Sequence, residues 1–188
     1  MQLCTLKRGA ETIPMSTRQG IFVTLTQVVE EVGRDAARFF FLLRKSDAHL
    51  EFDLELAKRH SLENPVYYIQ YAHARLCNIF ENARGQGLRW QMGAGDLERL
   101  TAPEELRLLR LLRSFPGVAL SCARTLEPFG VTAYLQELAE ALHRFYDVHR
   151  VISPDGSLSA ARLDLVAAVQ TVLANGLRLL GVSAPARM

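Results

Sequence analysis

Residues 63–80 read ENPVYYIQYAHARLCNIF and place three of the chain's five tyrosines, Tyr67, Tyr68 and Tyr71, within five positions. Asn64 can cap a helix that opens on Pro65, whose missing N–H costs nothing at a first helical position. The helix should run to about Asn82. Along it, Tyr68, Tyr71 and Arg75 fall at i, i+3 and i+7 and share a face, while Tyr67, Tyr71 and Ala74 share the neighbouring one. A tyrosine ring is stiff and wide, and its hydroxyl wants a partner. Three of them so close suit either rings capping a core, with hydroxyls reaching water, or a platform on which unstacked bases lie beside a guanidinium that meets phosphate. Taken alone, the helix is accounted for by core caps. His73, on the same helix, is expected to be a satisfied interior histidine.

Outward from this helix the pattern stays helical. Upstream, TLTQVVEEVG opens on a Thr-x-x-Gln capping box, Thr24 to Gln27, and stops at Gly33. RDAARFFFLLRKS follows, with Ala36, Phe39, Phe40 and Leu43 at helical spacing. A further helix can start at Asp53. Downstream, four of the chain's twelve glycines fall within residues 83–96, the best candidate for a flexible connection. APEELRLLRLLRSF predicts a helix from Pro103 to near Pro116, and GVALSCARTLEP a shorter one. VTAYLQELAEALHRFYDVHRV is long and apolar-striped, SPDGS breaks it, and LSAARLDLVAAVQTVLANGLRLLGV is the final helix. Only residues 1–23 differ. There MQLCTLK and the segment after RGAE suggest a short β-hairpin, marginal alone and therefore expected to lean on something larger. The expected fold is mainly α, a bundle of six to eight helices with a small β piece in front.

Composition narrows the function classes. The 188 residues can bury a sizeable core without disulfide or metal staples. Net charge is +2, from 22 basic and 20 acidic residues, so any nucleic-acid site must be a local patch. Cys4, Cys77 and Cys122 lie far apart, form no CxxC pair and suggest free thiols in a reducing compartment, with no zinc spacing. No run of about 18 consecutive apolar residues occurs, so no membrane span is expected.

Four segments could carry chemistry. The loop within PMSTRQGIFVTL, residues 14–25, could cradle phosphate through Ser16, Thr17, Arg18 and Gly20, or be only a polar hairpin loop. The tyrosine helix is the second. In HRFYDVHRV, residues 143–151, His143, Tyr146 and Arg150 share a face at i, i+3 and i+7, opposite Leu142, Phe145 and Val148, and could equally be a solvated polar face. Asn175-Gly176 interrupts an apolar helix at a cost of about 1 kcal/mol for the glycine, which a close helix crossing would explain. Beyond it the chain ends on Met188, a frayed tail if nothing holds it. Five scattered histidines pair with no local nucleophile or metal ligand, and no catalytic constellation is present.

Taken in order, MSTRQGIFVTL, GRDAARFFFL, NPVYYIQYAHAR, FYDVHRV and LLGVSAPARM together resemble the C-terminal part of bacterial arginyl-tRNA synthetases, over essentially the whole chain. GRDAARFFFL is similar to the Asp-Ala-Leu-Arg-type signature of that family's anticodon-binding domain, with Ala37 and Arg38 at the third and fourth positions. Sister class I enzymes share the bundle but not this tyrosine helix.

The resemblance implies the following. The fold is the helical bundle of the class I anticodon-binding type, preceded by a remnant of the catalytic domain. Residues 1–23 are then a signature-loop segment, 24–60 linking helices and 61–188 the bundle. The parent enzyme joins arginine to its tRNA with ATP and magnesium. This chain lacks the nucleotide-binding core and its His-Ile-Gly-His-like motif, so it should bind tRNA without charging it and hold neither ATP nor metal. The family's Lys-Met-Ser-Lys-Ser loop matches Pro14, Met15, Ser16, Thr17 and Arg18. Both lysines are gone, leaving Arg18 as the full positive charge. The anticodon loop is expected on Tyr68, Tyr71, Arg75, Tyr146, Arg150 and Met188, with Tyr67 packing inward or against a neighbouring helix, Arg150 standing where some relatives have a ring, and Asn175 structural. Partners are then arginine tRNA and the rest of the synthetase, with a monomeric, cytoplasmic setting and no membrane. A stand-alone tRNA-binding paralogue and a helical protein-interaction module are the competing readings.

Overall fold

The computed structural model describes residues 3–15, 22–85, 87 and 90–188. The signature-like residues Ser16, Thr17 and Arg18 lie outside them, and Met15 is exposed at their edge.

The β piece is larger than a hairpin. β1 (Cys4–Arg8) pairs antiparallel with β2 (Glu11–Thr12) and parallel with β3 (Leu50–Asp53), giving the order β2-β1-β3. The register sets Cys4 against Leu50 and Lys7 against Asp53. β3 alternates, with Leu50 and Phe52 inward and Glu51 outward, and Phe52 meets the rings of Phe40 and Phe41 at 5.2 Å each. β3 is too short, and too close to the next helix, for its alternation to stand out in the sequence.

Two short helices fill the β1-to-β3 crossover, α1 (Leu25–Val32) and α2 (Arg34–Phe41), and α3 (Leu54–Lys58) follows β3 directly. The Thr24–Gln27 capping box forms in both directions, with Gln27 N–H on Thr24 Oγ1 at 3.2 Å and Thr24 N–H on Gln27 Oε1 at 2.8 Å. Asp53 caps α3 through Glu55 N–H and Leu56 N–H and also accepts from Gly9 N–H, which ties the hairpin turn to that helix. Arg8 and Lys58 each bridge Glu31 and Glu55, so β1, α1 and α3 share one four-membered ion network.

The bundle proper has four long helices: α4 (Pro65–Gly85), α5 (Pro103–Thr125), α6 (Phe129–Val148) and α7 (Gly156–Leu179). Asn64 opens α4 as expected: its Oδ1 accepts from Val66 N–H while its amide donates to Ala57 O and Arg59 O. Pro116 does not end a helix; α5 runs through it to Thr125. One turn above the proline, Leu111 O accepts from Ser114 Oγ and from the hydroxyl of Tyr134 on α6. Packing along α6 thus holds both halves of α5 in line, and this tertiary support outweighs the local helix-breaking tendency.

α7 is the central helix. Among the described residues it alone is long and apolar enough to cross a membrane, and half of its most apolar window is buried by the other helices. At its crossing with α6, a Cβ on Gly176 would lie 2.6 Å from Leu135 Cδ2, inside the buried core. The glycine is there because the helices approach too closely for a side chain. The glycine-rich connection is also pinned. Asp164 on α7 accepts from Trp90 Nε1, Gly93 N–H and Gly95 N–H at 3.1, 2.8 and 2.7 Å, and Gly95 approaches the Ala161 backbone so closely that a Cβ would meet it at 2.6 Å. One apolar core runs from Leu6 in the sheet to Val182 beyond α7.

Candidate nucleic-acid interface

α4 and α6 lie side by side, and their facing polar rings form one strip. His60 meets Tyr67 edge-on at 5.8 Å. Tyr67 is parallel to Tyr71, with centroids 6.3 Å apart and planes 7° from coplanar. Tyr71 in turn lies 6.1 Å from the ring of His143 on α6, at 15°. Tyr68 sits 4.8 Å from the other side of His143. One turn along α6, Tyr146 carries the guanidinium of Arg75 4.8 Å above its ring. The i, i+3, i+7 spacing on α4 and the i, i+3 spacing on α6 therefore converge on one seam.

The three neighbouring tyrosines divide differently from expectation. Tyr68 packs against the apolar core. Tyr67, expected to pack inward or against a neighbouring helix, lines an open cleft of about 480 Å³ with His60, Gln70, Arg34 and Met188. A one-residue offset turns a helical side chain by about 100°, which leaves Tyr67 on the Met188 side while Tyr68 lines a separate cleft with Gln136 and Glu140 of α6.

Arg150 is not on the shared face. α6 ends at Val148, and His149 is already extended (φ −123°, ψ 143°). The cause is a polar cluster at this corner. His149 Nε2 lies 2.9 Å from Glu104 Oε2, and the buried Arg162 donates to Arg150 O at 2.8 Å and to Glu105 Oε1 at 2.7 Å. A carbonyl taken by Arg162 leads the backbone off the helix, so the i+7 spacing of Arg150 from His143 has no helical meaning. The cation beside Tyr146 is Arg75.

The seam is polar and unsatisfied. Among the described residues, three buried side-chain polar atoms have no hydrogen-bond partner, and two of them are His143 Nε2 and Tyr146 Oη. Leaving such an atom unpaired costs about 1–3 kcal/mol, so a polar group brought to this seam, from water or a ligand, would be favoured. Burial, and then the charge of Arg75, lower the His143 pKa, which keeps the imidazole neutral. Burial likewise raises the Tyr146 phenol, so it stays protonated as donor and acceptor. The guanidinium over Tyr146 makes no ion pair among the described residues, and such an exposed cation–ring contact contributes only about 0.5–1 kcal/mol.

The chain's end is not frayed. Residues 180–187 lie along α2 and α4. Arg38 Nε donates to Leu180 O, and Asp35 accepts from Ser183 N–H and Oγ. Gln70 donates to Ser183 O at 3.0 Å. The buried His73 donates Nδ1–H to Pro185 O at 2.9 Å, which makes it the satisfied interior histidine its sequence context suggested. These anchors deliver Met188 to the cleft beside Tyr67. Sequence spacing placed Tyr71 with Arg75 on one helix face and His143 with Tyr146 on another, while only the family resemblance brought Tyr146 to the tyrosine helix. Neither singled out His60. Among the described residues no cluster of three metal-ligating side chains occurs.

Comparison with known proteins agrees with this architecture. The DALR anticodon binding domain family matches residues 69–188. An arginine–tRNA ligase of Syntrophotalea carbinolica is 54% identical over the whole of this chain, which spans 34% of that protein's length. A Campylobacter jejuni structure assigned as an arginyl-tRNA synthetase superposes with a TM-score of 0.82 at 27% identity, covering 100% of this chain and 40% of that one. The Thermus thermophilus arginyl-tRNA synthetase gives 0.72 at 29% identity, covering 92% and 29%. The chain thus spans about a third of the length of the curated relative it matches. With its helical bundle matched from the second turn of α4 to the last residue, the chain belongs to the DALR anticodon-binding domain family.

Proposed function

We propose that this chain is the anticodon-recognition portion of an arginine–tRNA ligase and that the α4–α6 strip holds unstacked bases of the anticodon loop. The observation that carries the reading is the strip itself: half-buried rings in sequence, a guanidinium without a carboxylate partner, and two orphaned polar atoms at one seam. A base stacked on an aromatic ring is stabilised by about 1–3 kcal/mol, and with a net charge of +2 the chain has little bulk charge to substitute for such contacts.

In this reading residues 1–23 belong to the signature-loop segment, 24–60 link, and 61–188 form the tRNA-binding bundle. The parent enzyme joins arginine to its tRNA with ATP and magnesium in the cytoplasm, and this chain binds arginine tRNA as a monomer without charging it. Met15 and the following Ser16, Thr17 and Arg18 supply only part of a phosphate site, since the two lysines of the family's loop are replaced by Pro14 and Thr17.

The test is equilibrium binding of arginine tRNA and of the same tRNA with an altered anticodon. The expected result is tighter binding of the unaltered tRNA, with Tyr71→Ala weakening it by about 1–3 kcal/mol while the circular-dichroism melt stays cooperative. Equal affinity for both tRNAs would remove the anticodon role. Arginine-dependent pyrophosphate exchange by the purified chain would contradict its proposed inability to form the adenylate.

A further inference from the structure

The binding strip is closed at one end in the free chain. Tyr146 offers a base neither its ring face nor its hydroxyl: Arg75 lies over the ring, and the hydroxyl is buried without a partner. His143 Nε2, one turn back on the same helix, is equally buried and unpartnered. Arg75 is itself exposed and makes no ion pair among the described residues, so no carboxylate holds it where it is. Beneath it is the ring of Tyr146, and the charges that reach His143 are those of Arg75 and Asp147.

We propose that Arg75 is a removable cap on a base-reading pair. When RNA binds, the guanidinium leaves the Tyr146 ring for a phosphate, and the uncovered Tyr146 Oη and His143 Nε2 meet the donor and acceptor edge of one unpaired nucleobase. This rests on the anticodon reading above and adds what that reading does not contain: a closed free state and a second edge-reading residue, His143. The exchange runs in the right direction. A guanidinium bonded to a phosphate makes paired, charge-assisted hydrogen bonds, whereas over an exposed ring it has only the weaker attraction to the π face. The base then fills the place the cation left, on a ring already held by α6. A neutral imidazole and a protonated phenol can each donate or accept, so the pair can match a nucleobase edge, and a base that presents the wrong pattern leaves both atoms orphaned. Selectivity would therefore come from atoms that are unsatisfied without RNA.

The experiment uses the full chain, an anticodon stem-loop of arginine tRNA, and a stem-loop with one anticodon base changed. Tyr146→Phe keeps the ring and removes the hydroxyl, and His143→Phe keeps a ring and removes Nε2. Arg75→Met keeps the stem and removes the charge. We expect Tyr146→Phe or His143→Phe to lower the ratio of affinities for the two loops about tenfold, the worth of one matched hydrogen bond. Arg75→Met should associate several-fold faster in stopped flow and lose about one counterion from the salt dependence of its affinity. The cap is overturned if Arg75→Met associates no faster than the parent chain. The reading pair is overturned if both phenylalanine variants, shown folded by their melts, discriminate as the parent does. Failure of the unaltered chain to bind either loop, or to prefer one, would overturn the anticodon reading itself, a different outcome from either of these.

Discussion

At the scale of single residues, two glycines inside helices make opposite demands. Gly176 sits where α6 and α7 touch, and a methyl there would be driven into the side chain of Leu135, which is fully buried and would have to shift within the core. Gly176→Ala is expected to destabilise by about 1–2 kcal/mol, the overpacking cost less the helix-propensity gain. Gly117, on the exposed side of α5, has nothing within 4 Å of where a Cβ would lie, and Gly117→Ala should stabilise by up to about 1 kcal/mol. Urea midpoints of the two variants check this pair, and the same sign for both would contradict it. Sequence already hinted at Gly176, because an Asn-Gly pair in an apolar helix needs a packing reason. It could not sort Tyr67 from Tyr68. Spacing showed that the two rings diverge by a hundred degrees or so, but which one met the Met188 cleft depended on where the chain's end lay.

At the scale of elements, the helix-forming signals that were local came through, and those that depended on neighbours did not. Asn64, Asp53 and the Thr24–Gln27 box cap the helices their chemistry indicated. Pro116 misled because α6, through Tyr134, packs against Leu111 and Phe115 in the turn that leads into it. β3 was missed because four residues alternate too briefly to outweigh the helix signal that follows. The end of α6 was missed because Arg162, twelve residues on, takes the carbonyl of Arg150. Arg162 matters beyond that corner. Its partner Glu105 is 1% exposed and also closes the first turn of α5 through Ala102 N–H. Arg162→Met should cost about 3–5 kcal/mol, since it leaves a buried carboxylate without its counter-charge. A variant that melts with the parent chain would show that the pair is not structural.

The ion network among β1, α1 and α3 makes a pH prediction. Hydrogen bonds from Arg8 and then Lys58 hold the Glu31 carboxyl down at about 2, against an ordinary 4.5. A carboxyl depressed by folding contributes stability that is fully present above its unfolded value and is lost as pH falls through its folded one. The network should therefore weaken between about pH 4.5 and 2. A carbon-detected NMR titration of Glu31 should find its midpoint well below the ordinary carboxylate range. A midpoint in the ordinary range would mean that Arg8 and Lys58 do not hold it.

At the scale of the molecule, the sheet, the linking helices and the bundle share one core, and the last residues of the chain return to α4. That return was not legible in VSAPARM, which has no periodicity. It rests on Asp35, Gln70 and His73, three polar side chains whose partners are main-chain groups more than a hundred residues away. The result is a bundle whose RNA-facing candidates, Tyr67, Tyr71, His143, Tyr146 and Met188, come from both helices and the terminus. The most direct measurement is photo-crosslinking of arginine tRNA carrying a photoreactive base in the anticodon, with the attached peptide identified by mass spectrometry. The account predicts attachment to rings of α4 and α6, above all Tyr71 and Tyr146. Attachment confined to α5 or to the sheet would contradict it.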